Sequence, residues 1–266
     1  MIRGAVLGSP INHSLSPRLH RAAFSYLGIE GSYEPIEVPA GSLASFVERR
    51  GTEFDYFSLT MPLKEEVLLL PIDCDPLTTK IQSANTLWKK KDGWLLTSTD
   101  GSGFTAALAH AGLKTFNRVL ILGAGGTARA VAGAMDGISK EIHVLGRSSV
   151  RAPALKSSVT TSDFEYISWN SGADLSSYDL VVNTTPAGAA DLLADSVRGG
   201  VNGVLFDVIY KPWPTVLAAA WRDSGGKVIG GLELLLYQGI DQLELVLGES
   251  LDREKLATHL RTALRA

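Results

Sequence analysis

The segment RVLILGAGGTARAVAGAM (Arg118 to Met135) constrains this chain more than any other. An apolar strand runs directly into Gly123-x-Gly125-x-x-Ala128, and a small-residue helix pattern follows without a spacer. Gly123 permits a tight turn, Gly125 lets the backbone approach a pyrophosphate, and Ala128 allows a helix to pack closely on a strand. Free N–H groups at the helix start would face the phosphate charge. Strand, glycine turn, helix and next strand in that order predict dinucleotide binding. Sites of this kind that take NAD carry an acidic residue about 20 positions downstream, on the ribose hydroxyls. Here Gly146-Arg147-Ser148 stands there, with Arg151 four residues on. A forked guanidinium, a second positive charge and a hydroxyl suit a 2′-phosphate, so NADP (NADPH) is the expected cofactor.

The βα alternation continues through EIHVLGRS, EYISW, DLVVNTTP, GVLFDVIY and KVIGG. An earlier alternating series precedes it: RGAVLG, PRLHRAAFSYLG, SYEPIEV, AGSLASFVERR, DYFSLTMP and KEEVLLL. That order favours a mostly parallel sheet covered by helices. ANTLWKK and WLLTSTD flank a Lys91-Asp92-Gly93 turn and predict a hairpin. GSGFTAALAHAGL reads as a helix and Lys114 to Asn117 as a loop. The tail predicts two amphipathic helices, the first with a stripe of Leu232, Leu235, Leu236, Ile240, Leu243, Val246 and Leu247, the second capped by Asp252. The fold class is therefore α/β in two domains.

A net charge of −3 lacks the basic excess of a nucleic-acid binder, and KKK at Lys89 to Lys91 is the longest basic cluster. With Cys74 as the single cysteine, an intrachain disulfide and a multi-thiolate zinc site are both excluded. No histidine pair has ligand spacing, so no metal is expected. The opening MIRGAVLGSPINHS has too short an apolar run for a signal peptide, and no later segment approaches the ~20 apolar residues of a membrane span. A cytoplasmic protein, monomeric or homodimeric, is expected, with no nucleic-acid or membrane partner.

The polar residues of the first half sit at strand ends. SPINHSLSP supplies Ser14 and Ser16 before a helix that starts at Pro17, and SLTMPLKEEV supplies Thr60 and Lys64. SANTL adds Asn85 and STDGSG adds Asp100. Hydroxyl and amide partners together with a cation suit a hydroxylated, anionic small molecule.

GSPINHSLSP, TMPLK, SANTL, TDGSGF, GAGGTARA, NTTPAG, DVIYKPWPT and GGLELLLYQG resemble, in order and over nearly the whole chain, the successive motifs of the shikimate dehydrogenase family. The resemblance implies an α/β substrate-binding and catalytic domain, 1–100 plus 235–266, with a mostly parallel sheet. It also implies a Rossmann NADP-binding domain, 101–234, and the reversible reduction of 3-dehydroshikimate to shikimate. Lys64 and Asp100 would be the catalytic pair. Ser14, Ser16, Thr60, Asn85 and Gln238 would hold the substrate, and Tyr210 would help to close over it. The cofactor would contact Gly123, Ala124, Gly125, Gly126, Thr127, Ala128, Arg147, Ser148, Arg151, Thr184, Val208 and Gly231.

The chain departs from the usual family pattern at Ser58, Leu63, Ser98 and Gly146. These positions leave a quinate-using or amino-shikimate-using relative as an alternative. A bifunctional-type folate dehydrogenase would explain the glycine turn but not SLSP with TDGSGF. A dinucleotide-binding module without turnover is the non-enzymatic alternative, against which the retention of Lys64 and Asp100 counts.

Overall fold

The computed structural model describes residues 1–91, 93–197 and 200–265. In chain order the first elements are β1 (Ile2–Gly8), α1 (Ser16–Leu27), β2 (Gly31–Glu37), α2 (Leu43–Arg50), β3 (Tyr56–Leu59) and α3 (Leu63–Glu66). There follow β4 (Asp73–Cys74), α4 (Pro76–Ile81), β5 (Thr86–Lys90), β6 (Gly93–Thr97), α5 (Asp100–His110), β7 (Phe116–Leu122), α6 (Gly126–Met135) and β8 (Ser139–Gly146). The chain continues through α7 (Ala152–Ser158), β9 (Asp163–Ser168), β10 (Leu180–Asn183), β11 (Val204–Asp207), α8 (Val216–Asp223), β12 (Lys227–Gly230), α9 (Gly231–Leu247) and α10 (Arg253–Arg265).

Two compact units result: Met1–Gly103 with Leu235–Ala266, and Phe104–Leu234. Among the described residues the first unit holds a sheet in the order β2-β1-β3-β5-β6-β4. Strand β1 pairs in parallel with β2 and β3, while β5 runs antiparallel to β3 and β6, so the sheet is mixed and mostly parallel. The hairpin of β5 and β6 forms as the flanking sequence predicts, although Asp92 of its turn lies outside the described residues. Leu7, Leu43, Phe57, Leu63, Leu87 and Leu96 meet in the core of this unit.

The second unit holds β12-β11-β10-β7-β8-β9, every neighbouring pair parallel. Val119 to Leu122, Leu180 to Asn183 and Val204 to Asp207 are buried throughout, which is why these strands read as continuous apolar runs rather than alternating ones. The order reverses between β7 and β10, the switch point at which doubly wound sheets bind ligands.

Strand β7 begins at Phe116, inside the segment expected to be a loop. The short α4 was not expected either, because a helix of six residues is too brief to show a period. Its signals are local: the Asp75 carboxylate accepts from Thr78 N–H at 2.6 Å and Pro76 opens the first turn. The Asp252 cap forms as expected, accepting from Lys255 N–H at 3.2 Å. Helix α9 departs from the expected stripe: Leu234 and Tyr237 are buried along with Leu235, Leu236, Ile240 and Leu243, while Leu232, Val246 and Leu247 are half-buried.

Candidate active site

The polar residues of the first unit gather at one edge of its sheet. Leu7 and Leu59 pair across β1 and β3, so the segments that follow them leave the sheet side by side, and Thr60 N–H bonds Leu7 C=O at 2.9 Å. Asn85 stands at the start of the antiparallel β5, where its carbonyl receives Leu59 N–H at 2.7 Å. Thr99 and Asp100 follow β6, whose Thr97 carbonyl receives Asn85 N–H at 3.2 Å. Ser16 is buried in the first turn of α1, and its N–H meets Ser14 Oγ at 3.3 Å.

Lys64 lies on the single turn of α3, directly after the Thr60-Met61-Pro62 turn, and its ammonium forms an ion pair with Asp100. The lysine side chain is 17% exposed and the aspartate 5%, so the pair is largely withdrawn from water. Asn85 Nδ2 gives one proton to the other carboxylate oxygen at 2.8 Å and the other to Gln238 Oε1 at 3.2 Å, while Thr99 Oγ1, 3.0 Å from that nitrogen, donates to Asn85 Oδ1 at 3.2 Å. Lys64, Asp100, Asn85 and Gln238 are thus joined by direct bonds, from segments remote in the chain.

Helix α9 brings Gln238 here because α5 carries glycine at the crossing. A Cβ on Gly103 would stand 2.5 Å from Gln238 N and 2.8 Å from its Cα, so only glycine allows this approach. Gln238 keeps its amide nitrogen for its own helix, donating to Leu235 C=O at 2.9 Å.

Sequence reasoning missed a set of buried residues beneath this cluster. Tyr33 donates to Ser58 Oγ at 2.6 Å, Ser58 to Gln242 Oε1 at 2.7 Å, and the Gln242 amide nitrogen to Thr86 Oγ1 at 2.9 Å. The available signal was Gln242 itself, a polar residue one turn beyond Gln238 in an apolar helix. His20 stacks on Tyr33 with ring centroids 4.1 Å apart and bonds Tyr56 Oη through Nδ1 at 2.8 Å. Burial pushes the His20 imidazole down to about 3 and the Tyr33 and Tyr56 phenols up. Of the family departures, Ser58 is taken up by this network, Leu63 is fully buried in the core, and the buried Ser98 hydroxyl has no hydrogen-bond partner among the described residues.

In the second unit Gly123 has φ +103° and ends β7, its N–H on Leu145 C=O at 2.9 Å. A Cβ there would stand 2.8 Å from Thr184 Oγ1, whose hydroxyl donates to Leu122 C=O at 2.8 Å. Thr184 therefore packs on the turn from β10, at the switch point. Gly125 caps α6 without a side-chain hydrogen bond, and a Cβ on it would meet nothing within 4 Å. Open backbone at a helix start, preceded by Ala124 and followed by Gly126, Thr127 and the buried Ala128, fits a pyrophosphate. Arg147, Ser148 and Arg151 are exposed after β8, and Arg151 Nη1 donates to Ala124 C=O at 3.3 Å, which carries positive charge back to the turn. This donor set fits a phosphorylated dinucleotide. Gly146 has its own reason: any Cβ would run into the ring and hydroxyl of Tyr166, which donates to Ser148 C=O at 2.6 Å.

Val208 N–H bonds Asn183 C=O at 3.0 Å, and Gly231 lies so close to the Val208 carbonyl that no side chain fits there. Tyr210 is half-buried on the segment after β11. Asp207 anchors that segment by accepting from Thr215 Oγ1 at 2.7 Å and Ile209 N–H at 3.0 Å, and burial raises its pKa. Among the described residues no group of His, Cys, Asp and Glu is placed to hold a metal, and no helix is long and apolar enough to cross a membrane.

A doubly wound parallel sheet with a glycine turn at its switch point, and a mixed α/β unit with a withdrawn Lys–Asp pair, define a two-unit α/β protein of the Rossmann type. Residues 6–87 match the shikimate dehydrogenase substrate binding domain. A shikimate dehydrogenase (NADP(+)) of Thermosynechococcus vestitus is 35% identical over 97% of this chain and 94% of its own. Mycobacterium tuberculosis shikimate dehydrogenase superposes with a TM-score of 0.87 at 34% identity, covering 98% of this chain and 100% of that one. The Thermus thermophilus enzyme in complex with NADP(H) and shikimate gives 0.84 at 31% identity, over 99% and 100% of the two chains. The chain belongs to the shikimate dehydrogenase family.

Proposed function

We propose that this protein is an NADP-dependent shikimate dehydrogenase that reversibly reduces 3-dehydroshikimate to shikimate. The observation that carries this reading is the Lys64–Asp100 ion pair, bonded to Asn85 and through it to Gln238, in a chain whose relatives bear that activity. When bound, NADPH supplies the hydride for the C3 carbonyl. Negative charge gathers on the carbonyl oxygen as its carbon is reduced, and the Lys64 ammonium stabilises that charge and delivers the proton. Asp100 orients Lys64 and accepts a hydrogen bond from the neighbouring substrate hydroxyl. Ser14, Ser16, Thr60, Asn85 and Gln238 bind the carboxylate and the remaining hydroxyls, and Tyr210 is assigned to the substrate as well.

The segments 1–100 and 235–266 are the substrate-binding domain in this reading, and 101–234 the NADP-binding one. Gly123 to Ala128 cradle the pyrophosphate, with Thr184, Val208 and Gly231 near the nicotinamide. Arg147, Ser148 and Arg151 take the 2′-phosphate. The single cysteine fits a reducing compartment, and we assign the protein to the cytoplasm.

The test is oxidation of shikimate, with quinate alongside, using NADP and then NAD and following the reduced nicotinamide. Rapid turnover confined to shikimate with NADP is expected. Preference for quinate or NAD would overturn the specificity, and binding without turnover of any pair would favour the silent module.

A further inference from the structure

We propose that Thr86 and Gln242 are positioning residues that set which way round the Asn85 amide sits, and through it hold Asp100 in register with Lys64. Two backbone groups identify the oxygen and nitrogen ends of the two amides. Thr99 N–H, which can only donate, stands 2.8 Å from one end of the Asn85 amide, so that end is the oxygen. The Asn85 carbonyl, which can only accept, stands 3.2 Å from one end of the Gln242 amide, so that end is the nitrogen.

The rest follows from proton counting. Thr86 Oγ1 receives the Gln242 amide at 2.9 Å, so its single proton goes to Asn85 Oδ1 at 2.8 Å. With its oxygen taken by Thr99 N–H and Thr86, the Asn85 amide turns its nitrogen to the Asp100 carboxylate at 2.8 Å. At the far end Gln242 Oε1 accepts from Ser58 at 2.7 Å, and Ser58 accepts from Tyr33 at 2.6 Å. A single direction of donation runs from the Tyr33 hydroxyl to the carboxylate that faces Lys64.

Burial makes this direction matter. Thr86 and Gln242 are fully buried and Asn85 is 2% exposed, so water cannot replace a lost partner. A reversed Asn85 would set its NH₂ against Thr99 N–H and its oxygen against a carboxylate, two repulsive pairs in place of two bonds. The Thr86 hydroxyl disfavours that state, and Gln242 commits the hydroxyl. Gln238 and Gln242 lie one turn apart, so one face of α9 serves both Asn85 and the residues that orient it.

The proposal rests on the reading of Asp100 and Asn85 as substrate-contacting, so its test has a readout free of turnover. The full chain is prepared with Thr86→Val, which keeps the shape and removes the hydroxyl, Thr86→Ser, which restores it, and Gln242→Leu. Shikimate kinetics, NADPH affinity and the NMR signals of the Asn85 side-chain amide, assigned by their loss in Asn85→Asp, are compared. In Thr86→Val we expect kcat/KM for shikimate to fall about tenfold, with NADPH affinity unchanged and the Asn85 amide protons shifted and exchanging faster. Thr86→Ser should return both readouts to the wild-type range, and Gln242→Leu should follow Thr86→Val, which keeps the test open if the valine variant misfolds.

Wild-type kinetics and amide signals in Thr86→Val, or a serine variant as impaired as the valine one, would overturn the proposal. If the wild-type protein does not oxidise shikimate while the amide signals change as expected, the proposed function fails and the positioning roles stand.

Discussion

The Lys64 ammonium and the Asp100 carboxylate form an ion pair whose side chains are 17% and 5% exposed, and Asn85 holds the carboxylate oxygen that the lysine leaves. A pair this withdrawn from water is costly unless its remaining bonding capacity is met. Asn85 meets part of it, which is the physical reason an amide belongs beside the catalytic candidates.

Lys64→Ala should lower kcat for shikimate oxidation between about 10²- and 10⁴-fold while leaving KM within a small factor, because the charge is needed mainly in the transition state. Steady-state kinetics on the variant check this. Near-normal turnover would remove Lys64 from the chemistry.

Asp100→Asn should impair both kcat and shikimate affinity, since Asp100 touches Lys64 and, in the proposed reading, the substrate. Unchanged rate constants would make it a structural carboxylate only.

Arg147→Ala and Arg151→Ala should each weaken NADP binding about tenfold or more, with little effect on NAD, because in the proposed reading a charge-assisted bond to the 2′-phosphate is lost in one case only. Calorimetric titration of both cofactors reads the difference. Equal losses for NADP and NAD would point to the pyrophosphate turn, where Arg151 reaches Ala124.

His20 makes stability depend on pH. Its folded pKa is about 3 against an ordinary value of 6.5, so between these values the unfolded chain binds the extra proton. Its contribution is fully present above the unfolded pKa and is lost as pH falls from 6.5 toward 3. At pH 5 the loss amounts to about 2 kcal/mol relative to pH 7. Urea unfolding at the two pH values should show that gap in the wild type and a smaller one in His20→Phe; equal gaps would mean that His20 does not stay neutral in the fold.

Gly103→Ala should destabilise the protein by about 1–3 kcal/mol and raise the KM for shikimate, because the added Cβ meets the Gln238 backbone rather than a yielding side chain. Thermal unfolding together with kinetics tests it. An unaffected KM would detach Gln238 from the substrate.

What the sequence determined alone was local or periodic. The turn after β7 needs glycine at φ +103°, and no other residue type offers that conformation with so little strain, so Gly123 announces itself. Strands buried on both faces must be continuously apolar, and a hairpin must carry a turn signal, so the doubly wound sheet and β5–β6 were legible as well. The Arg147 and Arg151 charges were readable from their place after β8.

Tertiary structure decided the rest. Whether Asn85 presents oxygen or nitrogen to Asp100 depends on Thr99 N–H and on a Gln242 amide far along the chain, and no local pattern encodes which end of an amide faces where. The approach of α5 to α9 at Gly103 and the filling of Gly146 by Tyr166 are likewise absences of side chain that acquire meaning only when another element arrives. Backbone freedom and burial preference are written residue by residue, whereas the direction of a buried hydrogen bond is a property of the whole set of donors and acceptors that packing encloses together.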